Sequence, residues 1–222
     1  MNQAFKLSIE LLTPFYMGHR ITLDSLLSAA IYNATGLIGD ENAEMIPLQS
    51  ESGIFKGSSL FLEDIYRHCT VGRIMALKGA SDLNVNAFSP NAKRGGGYGF
   101  IDAQRDAYKY NMSQYQGIDA RSVCFFGYGD AHKCQALIQD FIFGIGKRST
   151  SGAGQVGEIG IEILDSDLSW ITGRNEPARP LPVELWKAIG GNEQAPHALI
   201  PVCAPYWETA GVEAVFPTSL GV

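Results

Sequence analysis

Lys147 and Arg148 stand side by side in the run Gly144-Ile145-Gly146-Lys147-Arg148-Ser149-Thr150-Ser151-Gly152-Ala153-Gly154-Gln155-Val156-Gly157. This combination of residue types suits an anion. Arginine can grip a phosphate through two parallel N–H donors, whereas lysine acts as a point charge. The hydroxyls of Ser149, Thr150 and Ser151 can donate to phosphate or to a ribose 2′-hydroxyl. Gly146 and Gly152 can let backbone amides come close to an anion. The same run also suits a mobile helix-to-strand connection with exposed charges, and its chemistry alone leaves both readings open. Spacing excludes two familiar phosphate motifs. A P-loop needs glycine where Phe141 stands and a hydroxyl where Arg148 stands. Gly152, Gly154 and Gly157 satisfy G-x-G-x-x-G, but the dinucleotide fingerprint follows a strand and opens a helix, and this run is expected to do the reverse.

His19 and Arg20 form the next group that could do chemistry. A histidine just before a helix can serve as a general acid or base in RNA cleavage. Metal-free cleavage also needs a second acid–base group and a cation, and spacing identifies neither. His19 and Arg20 are therefore expected to contact an RNA backbone or to pack at the helix start, and no catalytic residue is assigned. His68 beside Cys69, and His132 near Cys134, do not make metal pairs, and His197 has no partner in sequence. Asp24 reads as a carboxylate facing the positive end of a helix dipole. No metal or cofactor is expected.

The chain has 222 residues, a formal net charge of −6 and a pI near 5.2. An acidic balance argues against a freestanding nucleic-acid binder, so any RNA site must be local. The four cysteines form no C-x-x-C pair, which argues against a zinc knuckle or redox motif. No leader or membrane-spanning stretch is read, and a cytoplasmic protein with reduced thiols is expected.

The elements that position these residues can be read in order. Phe5, Leu7, Ile9 and Leu11 alternate as a first strand. Leu23, Leu26, Leu27, Ala30 and Ile31 share one helical face, with Thr22 as N-cap and Gly36 as C-terminal stop. Residues 53–62 are expected to form a second strand. Residues 66–121 read as an insertion, a hairpin being one form it could take. Val123 to Phe126 is an apolar strand, and Asp130 caps a helix over 131–143. Ile159, Ile161 and Ile163 alternate in a last strand. The order is βαββαβ, that of an α+β, ferredoxin-like (RRM-like) domain. It is expected to occupy residues 1–166, with the inserted segment at about 66–121. Residues 167–222, rich in proline, are expected to form a C-terminal extension packed on the domain.

The loop from Gly146 to Gly154, placed between second helix and last strand, resembles the glycine-rich loop of the CRISPR-associated RAMP superfamily. Ile21-Thr22-Leu23-Asp24-Ser25-Leu26-Leu27 is similar to the start of that family's first helix. Arg179-Pro180-Leu181-Pro182 and Pro205-Tyr206-Trp207 add tail motifs. Together they look most like the Cas-five-like subunit of type IV effector complexes, over residues 4–36, 122–164 and 179–207. The resemblance implies a non-catalytic RNA-binding subunit that caps the 5′ handle of the guide CRISPR RNA and contacts the first backbone-forming RAMP subunit. The large subunit would be a further partner, target DNA would be met indirectly, and no membrane is involved. It also implies that the insertion is a thumb, whose Lys93, Arg94, Arg105 and Lys109 offer charge and whose Tyr98 offers a stacking face. RAMP relatives also include guide-processing endoribonucleases, for which His19 would be the candidate. A scaffold making only protein contacts is the third reading, favoured by the acidic charge.

Overall fold

Strand β1 (Gln3–Leu11) alternates as its sequence dictates: Phe5, Leu7, Ile9 and Leu11 are buried, while Lys6, Ser8 and Glu10 face the other way. A computed structural model gives the fold, and it describes residues 2–16, 20–75, 111–204, 206 and 209–218. Helix α1 (Leu23–Thr35) begins where Thr22 accepts from the Ser25 amide and the Ser25 hydroxyl group sits 3.0 Å from the Thr22 amide. It ends at Gly36, in the left-handed conformation that glycine adopts without penalty. Helix α3 (Ala131–Phe141) is capped by the Asp130 side chain, which accepts from the Lys133 amide. The short helix α2 (Gly39–Glu44) lies between α1 and a two-residue hairpin, β2 (Ser50–Glu51) and β3 (Ile54–Phe55).

The main sheet has the order β4-β5-β1-β6, with β4 spanning Phe61–Met75, β5 Asn111–Gly129 and β6 Val156–Ile163. β1 runs antiparallel to both β5 and β6, pairing Leu7 with Phe125 and with Ile161. Strands two, three, one and four of a βαββαβ chain in that order make the ferredoxin-like α+β fold. Helices α1 and α3 share a core with the inward side chains of β1 and β5 and with Phe15; Leu27, Ile31, Val123 and Ile138 are among its members. Each such side chain stabilises the fold by roughly 1.5–3 kcal/mol. The second strand differs from the expectation over 53–62. Ser52 and Gly53 both take positive φ and close the β2–β3 hairpin, so the strand proper starts only at Phe61.

Residues Met1–His68 and Gly117–Val222 form one compact unit and Cys69–Gln116 a second. In the second unit Thr70 bonds to Gln116 at 3.1 Å. In the first, the prolines after Leu164 separate short elements: β7 (Leu181–Pro182), α4 (Val183–Ala188), β8 (His197–Ile200) and β9 (Val212–Val215), with sheet order β7-β9-β8. Trp170, Leu181, Trp186, Val202 and Val215 make a separate apolar cluster there.

Candidate nucleic-acid interface

The glycine-rich loop is stitched to the chain that leaves β1. The Thr13 hydroxyl donates to the Gly152 carbonyl (2.7 Å) and accepts from the Gln155 amide (2.9 Å). The amide of Gly154 donates to Pro14 (2.9 Å) and that of Lys147 to Tyr16 (2.7 Å). Inside the loop, the amides of Ser151 and Ala153 close on the Arg148 carbonyl, and that of Gly152 on the Ser149 carbonyl. Ser149–Ser151 is a single 3-10 turn between Arg148 (φ 64°) and Gly152 (φ 86°), both left-handed.

Two glycines are required by contact as well as by φ. A Cβ at Gly154 would lie 2.1 Å from the Ile145 carbonyl oxygen, and one at Gly146 would lie 2.6 Å from both the Phe15 ring and the Tyr16 carbonyl. The glycines therefore allow the chain to approach itself. The glycines were expected to let backbone amides approach an anion, but the amides of Lys147, Ser151, Gly152, Ala153 and Gly154 are bonded to the chain's own carbonyls. What the loop offers outward is side chains. Lys147, Arg148, Thr150 and Ser151 are exposed and Ser149 is half-buried. Gly146, Lys147, Arg148, Ser149, Thr150, Ser151 and Gly152 thus fall on one loop.

The remaining residues singled out from the sequence fall elsewhere. Arg20 follows Tyr16 on the β1–α1 connection, where its guanidinium lies 4.6 Å from the centre of the Phe216 ring and donates to the Pro217 carbonyl. His19, Lys93, Arg94, Tyr98, Arg105 and Lys109 lie outside the described residues.

The opposite face of the sheet is acidic. Ser8, Glu10, Glu63, Asp64, Arg121, Ser122, Glu158 and Gly160 line an open cleft of about 350 Å3. Lys6 pairs with Glu63 at 2.6 Å, and Ser122 donates to the same carboxylate at 2.9 Å. Burial works against the charged form of Glu63, but the bonds from Lys6 and Ser122 outweigh it and hold its pKa below the ordinary value. The bond to Glu63 raises the pKa of Lys6. Elsewhere on this face Phe61, Cys124 and Phe126 pack under Ala178, Leu164 and Leu168, while Glu162 is exposed. Burial pushes the Cys124 thiol up to about 12. The carboxylates of Glu10, Glu63, Asp64 and Glu158 outnumber the cations Lys6 and Arg121 here, a balance that opposes a phosphate chain.

Sequence reasoning missed one cluster. Asp24 does not merely face the helix dipole; it is fully buried and paired with Arg179, itself fully buried, at 3.3 Å. Arg179 also donates to the carbonyls of Phe55, Gly57 (3.1 Å) and Val202 (3.0 Å) and to the Tyr206 hydroxyl (2.7 Å). Tyr206 donates to Asp24 and lies 3.1 Å from the Thr22 hydroxyl. Burial opposes the charge on Arg179, yet Asp24 and Tyr206 raise its pKa. The helix-start motif supplies Thr22 and Asp24, and the two tail motifs supply Arg179 and Tyr206. Their joint presence in the sequence was the only signal available.

No family model matches the chain, and no curated protein sequence matches it. Among solved structures, one match is a chain of the type III-B Cmr-beta complex bound to cognate target RNA, determined by cryo-EM. It is 14% identical with a TM-score of 0.41, and the alignment covers 73% of this chain and 61% of that one. This chain thus spans less than two thirds of the length of that neighbour.

Proposed function

We propose that this chain is a non-catalytic RNA-binding subunit of a CRISPR ribonucleoprotein, of the type IV class, that caps the 5′ handle of the guide RNA and contacts the first backbone subunit. One observation carries the reading. An acidic protein presents Lys147, Arg148 and the hydroxyls of Ser149, Thr150 and Ser151 on one turn, fixed to the end of β1 by Thr13, Pro14 and Tyr16. Such cations and hydroxyls are among the groups that contact phosphate and ribose. The likeness of the loop, the α1 start and the tail motifs to the RAMP superfamily adds the guide RNA as the ligand.

The test is the salt dependence of RNA binding by the full chain with its backbone partner. Lys147→Ala should flatten the log–log slope by about 0.7, and Arg148→Ala by a similar amount, because each removes one phosphate contact. An unchanged slope in both variants removes the loop from the interface and favours a scaffold that touches only protein. Incubation with repeat RNA tests the absence of catalysis: cleavage that is lost in His19→Ala would make the chain a nuclease.

A further inference from the structure

We infer that Phe216 is a positioning residue of the RNA site, holding the Arg20 guanidinium ready to take a backbone phosphate, so that the C-terminal segment is part of the interface. This rests on the function proposed above and extends it to a residue far from the glycine-rich loop in sequence.

A guanidinium carries five N–H donors and no acceptor. In Arg20 one donor goes to the Pro217 carbonyl and the guanidinium carbon lies over the Phe216 ring. Stacking an arginine on a ring fixes its plane while leaving a donor edge for a planar or tetrahedral anion. Among the described residues Arg20 has no carboxylate partner. Burial lowers its pKa, with no carboxylate acting in the other direction. Arg20 is exposed, and an accessible cation with no counter-ion among the described residues can take an anion.

Arg20 stands four residues after Tyr16, a span of at most about 14 Å, which is within reach of a neighbouring phosphate of the same RNA. Tyr16, which accepts from the Lys147 amide, and Arg20 lie on one short connection. On the far side of Arg20 the Ile21 carbonyl accepts from Leu60 at 2.8 Å, and Thr22 caps α1. Tyr16 before Arg20 and Ile21 after it are thus bonded to the domain, and Phe216 lies against the guanidinium.

The experiment is fluorescence anisotropy of a short labelled single-stranded RNA with the full chain over a salt series. Arg20→Ala is expected to lower affinity roughly ten-fold or more and to flatten the slope by about 0.7. Phe216→Leu keeps the apolar bulk and loses the ring; a loss of roughly two- to five-fold is expected. Phe216→Tyr should restore binding. Adding Phe216→Leu to Arg20→Ala should cost nothing further, because the ring acts only through the guanidinium. Wild-type affinity in Phe216→Leu, or an additive loss in the double variant, overturns the inference. So does an unchanged slope in Arg20→Ala when Lys147→Ala flattens it; Arg20 would then serve protein contacts. If Lys147→Ala and Arg148→Ala are also unchanged, the proposed function fails with it. Thermal melts of each variant check that Phe216→Leu is folded.

Discussion

Replacing Arg179 by Met should be among the most damaging single changes in this chain. The substitution keeps an unbranched side chain of similar length but removes the guanidinium. Asp24 then remains fully buried with Tyr206 as its polar partner, and the carbonyls of Gly57 and Val202 lose their donor. Breaking a buried ion pair by removing one partner costs about 3–5 kcal/mol. That is a large part of the roughly 5–15 kcal/mol that holds a domain folded. At roughly 2–4 °C per kcal/mol for a chain of this size, the melting temperature should fall by about 6–20 °C. Urea unfolding followed by tryptophan fluorescence is the natural assay, since Trp170 and Trp186 are buried in the C-terminal cluster that Arg179 ties to α1. Asp24→Asn combined with Arg179→Met should be less damaging than the sum of the singles, because no charge is left buried. A loss under about 1 kcal/mol in Arg179→Met would refute the reasoning, since it would mean that the pair is not desolvated as described.

The left-handed backbone of Arg148 separates side-chain from main-chain roles. Arg148→Ala and Arg148→Gly should weaken RNA binding equally, yet Gly should be the more stable by roughly 0.5–1 kcal/mol, the left-handed penalty of Ala less the flexibility of Gly; chemical denaturation of the pair measures it, and an Ala variant as stable as Gly would contradict the φ of 64°. The lowered pKa of Glu63 means that its contribution is full above its ordinary 4.5 and fades as pH falls through the lower folded value. Acid melts of Lys6→Met should therefore show a smaller loss over that acid window than the wild type.

Local signals were readable because they are local. Thr22, Gly36 and Asp130 cap their helices by bonds within a few residues, and β1 alternates because one side faces the core. β4 hid itself for two reasons. At Phe61 and Leu62 both faces are covered, one by the main core and one by Ala178 and its neighbours, so no alternation shows. From Asp64 to His68 the side chains are exposed, and Asp64 takes positive φ. The charge and hydroxyl content of the glycine-rich loop was legible, but the job of its glycines was not. Gly146 and Gly154 answer to Phe15, Tyr16 and Ile145, contacts that only the fold creates. The Arg179–Asp24 pair joins residues 155 positions apart, and Arg20 meets Pro217 across 197. No period or spacing in a single sequence reports such a meeting.

The central claim is that RNA is held at the glycine-rich loop and not on the sheet. Ultraviolet crosslinking of the full chain to guide RNA, read by mass spectrometry, addresses it directly. The account predicts crosslinked peptides from residues 144–157 and from the segment containing Arg20, with none from the acidic face around Glu10, Glu63 and Glu158. Crosslinks confined to that sheet face, with the loop peptides unmodified, would contradict it.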